Sequence, residues 1–163
     1  MPIGIGFDVH RLGSRKPLRI GGVTIPHPRG PVAHSDGDVV LHALVDALLG
    51  AAGEGDIGEH FPDSDPVWRN ASSDRFVAGA MARLGRRFRV ENVDLTILAE
   101  APKLGPWKER IRARMAGLLG IPVRRVNVKA KTMEGLGEIG RKRAIAAWVV
   151  VSLNRVGRRR NRI

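Results

Sequence analysis

The stretch Ile3-Gly4-Ile5-Gly6-Phe7-Asp8-Val9-His10 alternates strictly between large apolar residues and glycine or polar ones. A period of two is the signature of an extended strand, because successive side chains leave opposite faces. One face carries Ile3, Ile5, Phe7 and Val9; the other carries Gly4, Gly6, Asp8 and His10. Asp8 and His10 therefore project together from the face opposite the apolar one. Because the pattern begins at Ile3, no secretory or transit leader is expected before it.

Downstream, Leu18–Ile20 and Val23–Ile25 flank Gly21-Gly22, the pattern of a hairpin. Pro26, Pro28, Gly30 and Pro31 then predict a loop. From about Asp36 to Ala52, Val40, Leu41, Leu44, Ala47 and Leu48 recur at helical spacing, with Ser35 or Asp36 able to cap the start. Residues 53–65 read as a Gly/Asp/Pro-rich loop. A second helix runs to about Leu84 from a cap at Ser72 or Ser73, and a third from about Trp107 to Leu119, ended by Gly120 and Pro122. Strands are expected at Val93–Ala99, Val126–Ala130 and Ala144–Leu153, with a Gly-rich link at 135–140. The class is α/β (α+β): one domain over residues 1–157, with a small mixed four-stranded sheet, a hairpin and helices on one face. Residues 158–163 form a basic tail.

The chain has 163 residues and is 43% hydrophobic, enough for one core. It contains no Cys, so any metal must be held by His, Asp or Glu. No apolar run approaches the ~18 residues of a membrane span, and a cytoplasmic protein is expected. The net charge of +12 is unevenly distributed. Residues 1–65 carry 5 Lys/Arg and 9 Asp/Glu, a net of −4, whereas residues 66–163 carry 23 and 7, a net of +16. The basic half ends in Arg155, Arg158, Arg159, Arg160 and Arg162, either a solvated end or a polyanion contact. Aromatics are 4% with no Tyr, which leaves few stacking platforms for single-stranded nucleic acid.

Asp8, His10 and His42 are candidate metal ligands, two from one strand face and one from the polar stripe of a helix. Two His and one carboxylate with an open fourth position is a catalytic zinc pattern. The competing reading of His42 is an ordinary hydrogen-bonded helix histidine. Asp38 and Asp46 lie one turn to either side of His42 on the same stripe, and either orient it or are solvated acids. His34 and Ser35 sit at the expected helix N-terminus, a setting that suits an anion such as phosphate. His27 and His60 read as surface histidines.

Three stretches, GIGFDVHRL (4–12), AHSDGDVVLHALVDALLGAAGEGDIGEHFPDSDP (33–66) and VNVKAKTMEGLGEIGR (126–141), closely resemble the 2-C-methyl-D-erythritol 2,4-cyclodiphosphate synthase family of the non-mevalonate isoprenoid route. The likeness extends to about residue 153. It implies a phosphorus–oxygen lyase that is a homotrimer with active sites between subunits. It implies zinc on Asp8, His10 and His42, and a second divalent cation, magnesium or manganese, on Glu134. The implied substrate is a cytidine diphosphate derivative, 4-diphosphocytidyl-2-C-methyl-D-erythritol 2-phosphate, whose own 2-phosphate is the nucleophile; CMP leaves.

By the same likeness His34 and Thr132 stabilise the transition state, and Asp8, Val9, His10 and Ser35 contact substrate. Asp56, Ile57 and Gly58 line the methylerythritol pocket beside a mobile loop of Phe61, Pro62, Asp63, Ser64 and Asp65. Ala99, Glu100, Ala101, Pro102, Lys103, Leu104 and Gly105 form the cytidine side, and Lys131, Thr132, Met133 and Glu134 the phosphate side. Gly58 and Lys103 also have plain readings, as a turn glycine and a surface lysine. Glu138 and Arg141 fall at the trimer axis, where an anionic or isoprenoid ligand is implied. The family pattern often has Thr at positions 131 and 133 and Phe at position 138, so Lys131, Met133 and Glu138 depart from it. The alternatives are a basic nucleic-acid-binding module and a different metal-dependent phosphohydrolase.

Overall fold

A computed structural model describes residues 1–156. Arg158, Arg159, Arg160 and Arg162, and with them the expected tail, lie outside the described residues. The elements run β1 (Ile3–Ser14), β2 (Leu18–Ile20), β3 (Val23–Ile25), β4 (Gly30–Pro31), α1 (Val39–Ala52), α2 (Ile57–His60), α3 (Ser73–Leu84), β5 (Phe88–Leu98), α4 (Lys108–Leu119), β6 (Val126–Lys131), α5 (Gly137–Gly140) and β7 (Ala144–Arg155). The main sheet has the order β4-β1-β7-β5-β6, with β5 and β6 parallel and the other pairs antiparallel. It has five strands where four were expected. The extra one, β4, is a two-residue edge strand opposite Leu12 and Ser14, too short for any periodicity to register. The hairpin of β2 and β3 is separate. Gly21 and Gly22 have φ of 60° and 76°, the left-handed pair that a tight two-residue hairpin turn requires.

Strand β1 turns Ile3, Ile5, Phe7 and Val9 away from the core. Gly4 and Gly6 are buried, whereas Ile5 is 67% and Phe7 46% exposed. The core lies on the glycine side because α1 packs directly on the β1 backbone. A Cβ on Gly6 would stand 1.9 Å from the carbonyl oxygen of Ala43, and one on Gly4 2.1 Å from that of Ala47. Helix α1 is buried almost all round, which explains its nearly unbroken apolar sequence. Across the sheet Phe7 pairs with Trp148, ring centroids 4.9 Å apart, and Ile5 pairs with Val150, so the outward face of β1 and β7 is an apolar patch.

Gly6→Ala is accordingly expected to destabilise the fold by roughly 3 kcal/mol, since the helix must lift off the strand. That corresponds to about 10 °C in Tm for a chain of this size. Thermal denaturation checks it; a loss under ~3 °C would contradict the close approach.

Candidate metal centre and substrate cavity

The glycine face of β1 brings Asp8 and His10 under α1, and α1 brings down His42. Asp8 Oδ2 lies 3.2 Å from His10 Nε2 and 3.0 Å from His42 Nδ1, and the two ring nitrogens are 3.1 Å apart. Three ligand atoms thus form a near-equilateral triangle. It is the one such group of His, Asp and Glu among the described residues. All three side chains are mostly buried, and the His10 and His42 rings meet edge to face. Burial pushes the Asp8 carboxyl up, but the His42 contact and the charges of His10 and His42 outweigh it and leave the group below its ordinary range. Burial lowers His10, against the opposing pull of Asp8. Both ligands are therefore deprotonated near neutral pH, the form that binds a cation. The donor set of two imidazoles and one carboxylate fits zinc.

The far side of His42 is also occupied. Its Nε2 lies 2.9 Å from Ser73 Oγ and 3.1 Å from Ser35 Oγ. Ser73 in turn donates to Asp36. Neither Asp38 nor Asp46 fills this place. The Asp38 carboxylate is fully buried and accepts the N–H groups of Gly21, Gly22, Val40 and Leu41, tying the hairpin turn to the start of α1. Burial pushes its carboxyl up against the downward pull of these donors. Asp46 accepts the Ile57 N–H at 2.8 Å, and burial likewise raises its carboxyl. The cap of α1 is Asp38 rather than Ser35 or Asp36. The expectation of an anion site at that helix N-terminus is therefore corrected: its leading N–H groups are taken by a carboxylate, and His34 and Ser35 lie upstream in the loop. That loop is held by Lys16 Nζ, which donates to the carbonyls of Ala33 and Ser35 at 2.7 Å each, and by the Asn70 N–H on the His34 carbonyl.

The triangle opens into a cavity of about 490 Å3 lined also by His34, Ser35, Asp46, Ile57, Gly58, Phe61, Pro62 and Asp63. Its apolar wall is a cluster of Phe61, Trp68 and Phe76, with Phe61 and Phe76 centroids 5.1 Å apart. Gly79 leaves room for the Phe61 ring, which a Cβ would meet at 2.7 Å. Phe61 is thus a packed residue rather than part of a loose loop. Asp56 and Asp65 do not line the cavity; they cap short helical turns through the N–H groups of Glu59 and Val67. Val9 points to the outer face, and Ser64 is exposed. A larger cavity of about 710 Å3, between the ends of α3, β5 and α4, has no histidine in its lining and no metal-ligand set.

The remaining expected residues gather at the C-terminal ends of the parallel strands β5 and β6. The Ala99 N–H donates to the Lys131 carbonyl, and the Met133 N–H donates to Glu100 at 3.0 Å. Thr132 Oγ donates to Glu134 Oε1 at 2.7 Å, with Glu134 at a φ of 50° beside Gly135 at 80°. Lys103, Lys131, Thr132 and Glu134 are exposed, while Leu104 is buried. None of residues 99–105 or 131–134 lines the metal cavity of its own chain. Glu138 and Arg141 are exposed at α5, where Glu138 pairs with Arg143 at 2.5 Å and with Arg141 at 3.9 Å. Other basic residues of this half stand in similar pairs, among them Arg114–Asp74, Arg125–Glu91 and Lys129–Asp94. Of the site, sequence reasoning missed Ser73, Asp36, Lys16, Trp68 and Phe76; the adjacent serines 72 and 73, only one of which a cap needs, were the available signal.

Residues 1–154 match the YgbB family. The chain is 52% identical over 154 residues to the 2-C-methyl-D-erythritol 2,4-cyclodiphosphate synthase of Nitrosococcus oceani, covering 94% of this chain and 98% of that protein. It is 53% identical over 152 residues to the bifunctional enzyme IspD/IspF of Sphingopyxis alaskensis, 93% of this chain but only 39% of that longer protein. A solved 2C-methyl-D-erythritol-2,4-cyclodiphosphate synthase in a CDP-bound form superposes with a TM-score of 0.86 at 41% identity, over 93% of this chain and 99% of the other. The matched span begins before the strand that carries Asp8 and His10 and ends within the last strand of the sheet, and on it the chain belongs to the YgbB family.

Proposed function

We propose that this chain is a 2-C-methyl-D-erythritol 2,4-cyclodiphosphate synthase, a metal-dependent phosphorus–oxygen lyase of non-mevalonate isoprenoid biosynthesis acting in the cytoplasm. The observation that carries the reading is the Asp8–His10–His42 triangle at the mouth of a cavity large enough for a phosphorylated polyol, in a chain with full-length relatives of that name. In the reaction, a 2-phosphate oxygen of 4-diphosphocytidyl-2-C-methyl-D-erythritol 2-phosphate attacks the β-phosphorus. The bond from that phosphorus to the α-phosphate oxygen breaks, leaving the 2,4-cyclodiphosphate and CMP. The nucleophile is already ionised, so no protein base is needed; positioning and charge neutralisation are the protein's work.

Asp8, His10 and His42 hold zinc in this reading. Bound there, zinc supplies Lewis-acid stabilisation to a diphosphate oxygen. Glu134 would be the protein ligand of a second divalent cation, magnesium or manganese, which would neutralise diphosphate charge. His34 and Thr132 donate to phosphate oxygens as charge builds. Ser35, Ile57, Gly58, Pro62 and Asp63 hold the erythritol portion, and residues 99–105 hold cytidine.

The functional unit is a homotrimer with sites between subunits. Two features support this. The outward face of β1 and β7 exposes Ile3, Ile5, Phe7, Val9, Trp148 and Val150. Residues 99–105, Thr132 and Glu134, assigned to nucleotide and phosphate, lie apart from the metal cavity of their own chain, which a neighbouring subunit would complete. The match to a relative in a CDP-bound form supports the nucleotide assignment. No described helix is long and apolar enough to cross a membrane.

Purified protein supplied with zinc and magnesium is expected to convert the named substrate to equimolar cyclic diphosphate and CMP, read by mass spectrometry. A linear phosphate product would instead make it a hydrolase. Salt-dependent nucleic-acid binding without CMP release would make it a binding module.

A further inference from the structure

Ser73 donates its hydroxyl proton to Asp36, and the same carboxylate accepts the Ser73 N–H at 3.1 Å. With that proton committed, the Ser73 oxygen can offer His42 Nε2, 2.9 Å away, only a lone pair. A hydrogen on Nε2 answers that lone pair, whereas the 3.0 Å contact of Nδ1 with Asp8 Oδ2 calls for a hydrogen on Nδ1, so the two contacts compete for the one proton of the neutral ring, and a cation held by Nδ1, Asp8 Oδ2 and His10 Nε2 would remove the second claim. We propose that Ser73 and Asp36 form a positioning relay that locks His42 in its Nε2–H tautomer and aims Nδ1 at the metal.

The surroundings suit the role. Ser73 is fully buried at the first turn of α3, so its hydroxyl is shielded from competing water. Asp36 is held by the Ser73 N–H and by the Asp38 N–H at 3.3 Å, with Arg19 Nε 3.5 Å away. A carboxylate two bonds removed makes an imidazole a stronger donor to a cation, and such outer partners are worth about 10–100-fold in metal affinity. Ser35 does not select the tautomer, because its hydroxyl proton is not committed elsewhere and it can either donate to or accept from Nε2. The consequence for affinity rests on the metal reading above; the tautomer does not.

Nitrogen-15 NMR of the metal-free wild-type protein, at a pH where His42 is neutral, is expected to show the Nε2–H form. An Nδ1–H ring, donating to Asp8, would overturn the relay whatever the metal site proves to be. Chelator competition then reads the consequence. Ser73→Ala, which keeps the backbone contact to Asp36, is expected to weaken zinc binding about 10–100-fold while the metal-free Tm moves by less than ~3 °C. Asp36→Asn added to Ser73→Ala should weaken it no further, because both act along one path. Zinc affinity of Ser73→Ala within about twofold of wild type, or fully multiplicative losses in the double variant, would refute the proposal. Wild-type protein that takes up no zinc at all would instead defeat the metal reading and the affinity claim with it, leaving the tautomer result standing.

Discussion

His42→Ala is expected to lose zinc and to reduce CMP release by about 1,000-fold or more. The triangle depends on three ligand atoms within 3.2 Å of one another, and His42 supplies the one that comes from outside β1. Without Nδ1, Asp8 and His10 remain as a two-ligand remnant on one strand. A Lewis acid at a phosphoryl oxygen is worth several kcal/mol of transition-state charge, and ~4 kcal/mol is close to three powers of ten in rate. Unfolding does not explain such a loss. The ring is 12% exposed, but the position is on a helix, where alanine is the favoured residue. The cavity left behind should cost about 2–3 kcal/mol, roughly 5–10 °C in Tm. Metal analysis by mass spectrometry, steady-state rates and a melting curve separate the two effects. Full activity with full metal content in His42→Ala would remove the centre from the mechanism.

Phe7→Glu is expected to produce a monomer that still binds zinc and no longer turns over. Phe7 is 46% and its partner Trp148 43% exposed, and Ile5 and Val150 continue the patch along the same two strands. Covering one such ring is worth about 2 kcal/mol per chain, and a carboxylate in its place carries a desolvation penalty on top. In a trimer each change is repeated three times around one axis, so the effects accumulate. Asp8 and His10 point from the opposite face of β1, away from the substitution, and zinc uptake per chain should stay near that of wild type. CMP release should fall by about 100-fold or more, because in the proposed trimer residues 99–105 and 131–134 of a neighbour would no longer meet the cavity. Sedimentation gives the mass, and metal content with rate gives the rest. A monomeric variant with normal turnover would show that one chain holds a whole site.

The Asp8–His10–His42 triangle was legible because both of its parts have strong local signatures. Period-two alternation put Asp8 and His10 on one side of a strand, and helical spacing put His42 on a polar stripe. The helix boundary was less legible. Ser35, Asp36 and Asp38 are all chemically able to cap, and the choice fell to Asp38 only because the Gly21-Gly22 turn delivers two further N–H donors to it. Asp46 followed the same logic: its partner is the Ile57 N–H, eleven residues on, not the histidine beside it on the helix.

By itself the sequence determined the class of fold, the strand-and-helix origin of the three ligands and, through its long matching stretches, the family. Alternation is symmetric, however: it says that β1 has two faces and not which of them meets the core. That was decided by the tertiary structure, where α1 comes down so close to the backbone that only Gly4 and Gly6 can lie beneath it, turning the apolar residues outward. The tertiary structure alone also brought Ser73 to His42, since a hydrogen bond spanning 31 residues of chain leaves no periodic trace for local patterning to find.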